Sequence, residues 1–138
     1  MRGRFPGLRR LVCAAALLSC FHAALADGIA AAPAGSLQRI LMGRAVVLRG
    51  DIGGRQIQLS LQPKKNEDGL EGSYFFFGDS QEILVAGEVE GDDLVMEESV
   101  NGRDVSGQWE GHRQGAAISG TWSSADGTVT KPFFLQLP

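Results

Sequence analysis

The chain has 138 residues, 43% of them hydrophobic, with 13 basic and 16 acidic residues. Four of the basic residues lie within the first ten positions, so the part that follows residue 26 has nine basic against sixteen acidic residues, a net charge of −7. Such an acidic domain is a poor partner for nucleic acid or anionic lipid. We interpret its charge first as a source of solubility and second as a feature that favours a cationic partner.

The N-terminal segment has the three parts of a secretory signal. Four arginines without an acidic residue precede an apolar run from Leu11 to about Leu18, and the small residues of Ala24-Leu25-Ala26 follow. The apolar run is shorter than the roughly 20 residues that span a bilayer. We therefore predict a signal-peptide helix over residues 1–26, cleavage after Ala26, and a periplasmic or secreted domain.

A second way of processing the leader competes with this one. The sequence Leu17-Leu18-Ser19-Cys20 resembles a bacterial lipobox, and acylation of Cys20 would make the domain a membrane-anchored lipoprotein. We favour cleavage after Ala26 because its small-x-small site is the cleaner match. Both cysteines, Cys13 and Cys20, precede that site, so the exported domain would contain no disulfide.

The remaining chain is predicted to be all-β. Residues 27–38, rich in Ala, Gly and Pro, are predicted to be a flexible lead-in to a domain over residues 39–138. The first strand is expected at Ile40–Leu48, and Arg55–Gln62 alternates apolar and polar residues as an antiparallel strand does. Six further strands are expected at Leu70–Phe77, Glu82–Glu90, Leu94–Val100, Val105–Glu110, Ala117–Ser123 and Val129–Leu137.

Eight short strands joined by short turns predict a single antiparallel up-and-down meander. A meander of this size forms a closed barrel, which removes the sheet edges, or stays partly open. We predict a closed or partly open barrel, preceded by the signal-peptide helix.

An apolar-x-Gly-x-aromatic motif recurs in this meander, at Leu70–Tyr74, Val105–Trp109 and Ile118–Trp122. The first, third and fifth residues of a strand face one side, so each motif places a glycine between two core-facing residues. Such a glycine lets the strand bend or leaves room for a neighbouring ring. Alternatively, the rings of Tyr74, Trp109 and Trp122 line a ligand cavity.

The pairs Gly107-Gln108-Trp109 and Gly120-Thr121-Trp122, within eight predicted strands, resemble those of avidin-like and lipocalin-like barrels among small bacterial exported proteins. The resemblance implies an eight-stranded meander barrel with an interior site. It implies no specific ligand and transfers no binding residue to this chain.

Few residues in the predicted domain suit catalysis. His112 is its one histidine, expected in a polar loop and exposed to solvent. Six acidic residues between Glu88 and Glu98 are expected to form a solvated hairpin, because their spacing matches no calcium-binding loop. We predict no enzyme, no metal site and no cofactor, and keep a hydrolase of unrecognised type as an alternative.

The sequence Tyr74-Phe75-Phe76-Phe77 supplies the remaining candidates. Alternation directs Tyr74 and Phe76 inwards, while Phe75 and Phe77 point outwards and form a contact patch unless another segment covers them. We predict an exported non-enzymatic binding domain, favouring a cationic exported protein bound through loops or the outer aromatic face, as by an inhibitor or immunity protein. The alternative is a small apolar ligand inside the barrel. The candidate binding residues are Tyr74, Phe75, Phe77, Trp109 and Trp122.

Overall fold

The structure is a computed structural model that describes residues 35–138. Ala26, Cys20, the predicted signal peptide and most of the predicted lead-in lie outside the described residues. One short helix precedes eight strands: α1 Leu37–Gly43, β1 Val46–Ile52, β2 Arg55–Pro63, β3 Leu70–Phe76, β4 Ile83–Glu90, β5 Asp93–Ser99, β6 Gly107–Gln114, β7 Ala117–Ser124 and β8 Thr130–Gln136. Within residues 35–138, no helix is long and apolar enough to cross a membrane.

The eight strands form a closed up-and-down barrel. Each strand pairs antiparallel with the next, and β8 returns to pair with β1 from Arg49↔Gln136 to Ile52↔Phe133. Along this stretch, closure pairs the first and last strands of the meander with each other, which protects the sheet edges. The predicted all-β antiparallel meander is confirmed, and of the two predicted forms the closed barrel is the observed one.

The predicted first strand, Ile40–Leu48, is wrong in its first half. Residues 37–43 form α1 instead, and β1 begins only at Val46. The helix starts where the Ser36 side chain accepts a hydrogen bond from the backbone N–H of Arg39, as an N-cap residue does. Leu37 and Leu41, one helical turn apart, are both completely buried. The predicted lead-in therefore ends earlier than residue 38.

The barrel interior is filled mainly by apolar side chains. Ile57, Leu59 and Leu61 of β2 point inwards, as the alternating sequence predicted. Trp109 is completely buried, and its ring contacts that of Tyr74 edge to face, with 5.3 Å between centroids. The interior therefore forms a packed core, with aromatic rings at its centre.

Two glycines of the repeated motif allow close approaches, one of backbone and one of side chains. A Cβ on Gly72 would overlap the carbonyl oxygen of Ser60, because the backbone of the neighbouring strand lies close to it. A Cβ on Gly107 would instead lie 2.8 Å from Trp122 Nε1 and 2.9 Å from Glu98 Oε1, so this glycine leaves room for side chains.

One flanking position of the motif departs from the prediction. Val105 was expected on the core face of the sixth strand, but β6 begins at Gly107 and Val105 is exposed. The backbone N–H of Ser106 donates to the carbonyl oxygen of Glu98, which holds the segment before β6 against the end of β5.

One end of the barrel is closed by α1, and we call it the plugged end. It carries α1 with the β4–β5 and β6–β7 turns. The backbone N–H of Leu37 donates to Asp92 Oδ1 at 2.8 Å, and the N–H of Gly91 donates to Gln38 Oε1 at 2.9 Å. These bonds join the first turn of α1 to the β4–β5 turn, while Leu37 and Leu41 belong to the barrel core.

Both ends of the described segment meet at this plugged end. Arg113, near the end of β6, donates through Nη1 to the carbonyl oxygen of Gly35. The backbone N–H of Leu137 donates to the carbonyl oxygen of Ala116 at 2.8 Å. Gly35 and Leu137 therefore both lie beside the β6–β7 turn.

Candidate ligand pocket at the open end

The opposite end of the barrel, which we call the open end, carries the β1–β2, β3–β4, β5–β6 and β7–β8 connections. It contains a pocket of about 180 Å³. For comparison, an engineered apolar cavity of about 150 Å³ binds benzene. Ile52 and Ile83 form part of the wall, and the residues that give the pocket its chemistry are Arg55, Tyr74, Phe76, Glu98, Trp122 and Lys131.

Glu98 lies at the inner side of this pocket and is only 4% exposed. It is the only acidic or basic residue buried to this degree in residues 35–138. Its Oε2 accepts hydrogen bonds from the Tyr74 hydroxyl at 2.7 Å and from Trp109 Nε1 at 2.9 Å. Buried polar groups are normally paired in this way, because an unpaired one loses its hydration without compensation.

Glu98 was missed as a site residue, and its assignment to a solvated hairpin was wrong. The neighbouring acidic residues led to the prediction that Glu98 lies on the outer face, where Glu97 is indeed exposed. Glu98, however, is in phase with Leu94 and Met96, which are both completely buried. That alternation within β5 is the sequence signal that could have placed Glu98 inside the barrel.

Tyr74 is held in its neutral form by this environment. Burial, followed by the hydrogen bond to the Glu98 carboxyl group, raises the pKa of Tyr74 far above its ordinary value. Tyr74 therefore remains a hydrogen-bond donor to Glu98 at any pH near neutrality.

Trp122 supplies a donor that has no acceptor. Its ring is half-buried, and the indole Nε1 is shielded from solvent without a hydrogen-bond partner within residues 35–138. This N–H and Glu98 Oε1 are close neighbours, since Trp122 Nε1 and Glu98 Oε1 both lie within 2.9 Å of the position that a Cβ on Gly107 would take. A buried, unpaired N–H costs about 1–3 kcal/mol, so it points to a water molecule or ligand group as its partner.

Two cationic side chains lie at the mouth of the pocket. Arg55 places its guanidinium carbon 4.0 Å from the centroid of the Phe76 ring, and Lys131 places Nζ 5.9 Å from that of Trp122. Both cations lie within the range of cation–π attraction. Although the domain as a whole is acidic, the mouth of this pocket therefore carries two positive charges.

The five predicted binding residues fall into two separate groups. Tyr74 and Trp122 line the pocket, and Trp109 lies behind it, bonded to the same carboxyl group. Phe75 and Phe77 lie on the outer face, where their rings meet edge to face with 5.6 Å between centroids. The polar and charged pocket residues Arg55, Glu98 and Lys131 were not predicted.

His112 lies in β6 and not in the predicted loop, although it is exposed as expected. Its Nδ1 lies 2.6 Å from Asp93 Oδ1, and the strand register places Ser119 opposite it on β7. In residues 35–138, no hydrogen bond joins His112 to Ser119, and no group of three or more His, Cys, Asp or Glu residues could hold a metal ion.

Comparison with known proteins found no relative: no protein-family model, no curated protein and no solved structure matches the chain. The resemblance to avidin-like and lipocalin-like barrels therefore stays a prediction. A barrel topology hosts many unrelated functions, so the function must be argued from the residues of the pocket itself.

Proposed function

We propose that this chain is an exported, non-enzymatic binding domain that takes a small molecule into the pocket at the open end. The observation that carries the proposal is the buried Glu98 carboxyl group beside a shielded Trp122 N–H that lacks an acceptor within residues 35–138. Export is argued from the leader sequence, whose basic start, apolar run and small residues before Asp27 form a secretory signal.

The polar groups of the pocket support binding over a purely structural purpose. An apolar side chain in place of Glu98 would complete the core without the cost of burying a carboxyl group. Ligand sites are mostly apolar concavities with a few placed polar groups, and Ile52, Ile83 and Phe76 around Glu98 and Trp122 fit that description.

A binding function is favoured over hydrolysis by the position of the candidate catalytic residues. The His112–Asp93 pair lies exposed on the outer face and is not part of the pocket lining. In the pocket, the Glu98 carboxyl group is bonded through Oε2 to Tyr74 and Trp109, an arrangement that fixes it as a recognition group.

Binding is tested on the protein that is purified after its own leader sequence has directed its export. Phenol, indole and benzoate are titrated at millimolar concentrations while tryptophan fluorescence and thermal unfolding are recorded. At least one of these ring compounds should change the fluorescence and raise the unfolding temperature. Ile83→Phe should fill the pocket and abolish the effect, whereas Phe77→Ser on the outer face should leave it unchanged. The absence of any response to all three compounds would contradict the proposal.

Export is tested separately by mass spectrometry of the mature protein. An N-terminus at Asp27 is expected, and an acylated Cys20 would replace free export by membrane anchoring. A chain that keeps its leader in the cytoplasm would contradict the exported location.

A protein partner remains a second candidate because aromatic side chains are exposed on the outer face. Phe77 of the β3–β4 connection and Phe134 of β8 are 47% and 44% exposed, and both border an outer hollow of about 510 Å³. Calorimetric titration with basic secreted hydrolases tests this candidate. Phe77→Ser and Phe134→Ser should each weaken such binding, while Val95→Ser, an exposed control on β5, should not.

A further inference from the structure

The inner end of the open-end pocket contains one donor and one acceptor that are close neighbours. The donor is the unpaired N–H of Trp122, and the acceptor is Glu98 Oε1. Both atoms lie within 2.9 Å of the position that a Cβ on Gly107 would take. Oε2 has two short hydrogen bonds, whereas Oε1 has only the Ser106 hydroxyl at 3.5 Å, which is too distant for a strong bond.

A single chemical group that forms a hydrogen bond with both atoms must accept from the indole N–H and donate to the carboxyl group. A hydroxyl does this, because it has one O–H donor and two acceptor lone pairs. A ligand carboxylate accepts only and would face the Glu98 carboxyl group, while an ammonium donates only and leaves the Trp122 N–H unpaired.

The mouth of the pocket favours a negatively charged ligand group. Arg55 and Lys131 place two positive charges there, over the rings of Phe76 and Trp122. A carboxylate on the outer end of a ligand would pair with them, and the guanidinium of Arg55 can hold it with two parallel hydrogen bonds. Between the mouth and the inner end, the apolar walls and the volume of about 180 Å³ suit a single ring.

We infer that the ligand is a hydroxylated aromatic acid: one ring, a hydroxyl bound by Glu98 and Trp122, and a carboxylate bound by Arg55 and Lys131. This inference rests on the proposed binding function and names the ligand class of the same pocket. Gly107 contributes by its lack of a Cβ, which would crowd both Trp122 Nε1 and Glu98 Oε1.

The ligand class is tested by calorimetry with matched probes. We expect 4-hydroxybenzoate to bind at least about tenfold more tightly than benzoate, which lacks the hydroxyl, and than 4-methoxybenzoate, which can only accept. It should also bind more tightly than phenol, which lacks the anion. Equal affinity for 4-hydroxybenzoate and benzoate would overturn the hydroxyl assignment, and tighter binding of 4-hydroxybenzylamine would overturn the anionic end. If none of these rings binds, the proposed function itself fails.

Variants separate the two ends of the ligand. Trp122→Phe keeps a ring but removes the N–H, and should reduce the affinity for 4-hydroxybenzoate to about that for benzoate. Gly107→Ala should do the same, because its methyl group would crowd Trp122 Nε1 and Glu98 Oε1, and thermal unfolding identifies any variant that fails to fold. Unchanged selectivity in folded Trp122→Phe would overturn the hydroxyl assignment.

Arg55→Gln should weaken benzoate and 4-hydroxybenzoate equally and reduce the salt dependence of binding, of which Lys131 supplies the remainder. Arg49→Gln, which removes an exposed arginine of β1 on the outer face, is the matched control and should change neither affinity. If Arg55→Gln binds the carboxylate ligands with unchanged affinity, the assignment of Arg55 as a ligand of the carboxylate is overturned.

Discussion

The two ends of the barrel are completed by contrasting chemistry. At the plugged end, α1 buries Leu37 and Leu41 and pairs its exposed backbone groups with Asp92 and Gly91. At the open end, the strands enclose the carboxyl group of Glu98 and leave an indole N–H unpaired. The plugged end closes the barrel with an apolar helix face and with polar groups that are paired. The unpaired Trp122 N–H at the open end is therefore the feature that stability does not explain.

The largest effect is expected from a change at the plugged end. Leu41→Ala should lower the free energy of unfolding by about 2–5 kcal/mol, because it leaves a cavity in the core. Urea denaturation measures this loss. The affinity for 4-hydroxybenzoate, measured well below the unfolding temperature, should stay that of the unchanged protein. A parallel fall in affinity would show that the two ends are energetically coupled.

At the open end, the next largest effect is expected from Glu98→Ala. It removes the acceptor for the Tyr74 hydroxyl and the Trp109 indole, and two buried donors without a partner should cost about 2–4 kcal/mol. Glu98→Gln retains one acceptor oxygen and should cost less. Urea denaturation of both variants compares them, and a Glu98→Ala protein as stable as the original would mean that this network does not support the fold.

The ionisation of Tyr74 in an alkaline titration tests the same hydrogen-bond network. Its raised pKa in the folded protein means that the contribution of Tyr74 to stability is constant below about pH 10, where Tyr74 is neutral in both states. Above that pH the unfolded chain ionises first, so stability should fall by up to about 1.4 kcal/mol per pH unit. Tyr74 is the only tyrosine of the chain, so the ultraviolet absorbance of tyrosinate reports on it alone. A tyrosinate signal near pH 10 in the folded protein would contradict the buried hydrogen bond.

The smallest effect is expected from the cap of α1. Ser36→Ala removes the side-chain acceptor for the Arg39 N–H and should cost about 1 kcal/mol in urea denaturation. Ser60→Ala, on the exposed face of β2, is the matched control and should cost little. Equal losses in the two variants would show that the cap does not help to close the plugged end.

The sequence was sufficient to predict the barrel, because strand alternation and turn residues are local properties. Ile57, Leu59 and Leu61 alternate with polar residues and point inwards. The α1 segment was misassigned because its apolar residues fit either an alternating strand or one helical turn. Burial of Leu37 and Leu41 against the barrel end decides between them, and that contact depends on the closed fold.

The pocket was predictable only in part. The aromatic residues Tyr74 and Trp122 were identified from the repeated motif, but the charged residues were not. Glu98 stands opposite Gly107 in the β5–β6 register, and Arg55 meets Phe76 through its position on the neighbouring strand. Such pairs join distant parts of the chain, so their chemistry appears only when the strand register is known.

The meeting of Gly35 and Leu137 beside the β6–β7 turn has a practical consequence. If the domain is attached to a solid support or a fusion partner near Gly35 or near Leu137, the attachment lies at the plugged end. The pocket mouth then faces the surrounding solution. Tryptophan fluorescence, to which Trp122 in the pocket contributes, would then report on ligand entry in an immobilised protein. The same proximity allows Gly35 and Leu137 to be joined by a short linker. A new N-terminus can then be placed in another surface turn, which gives a circular permutant.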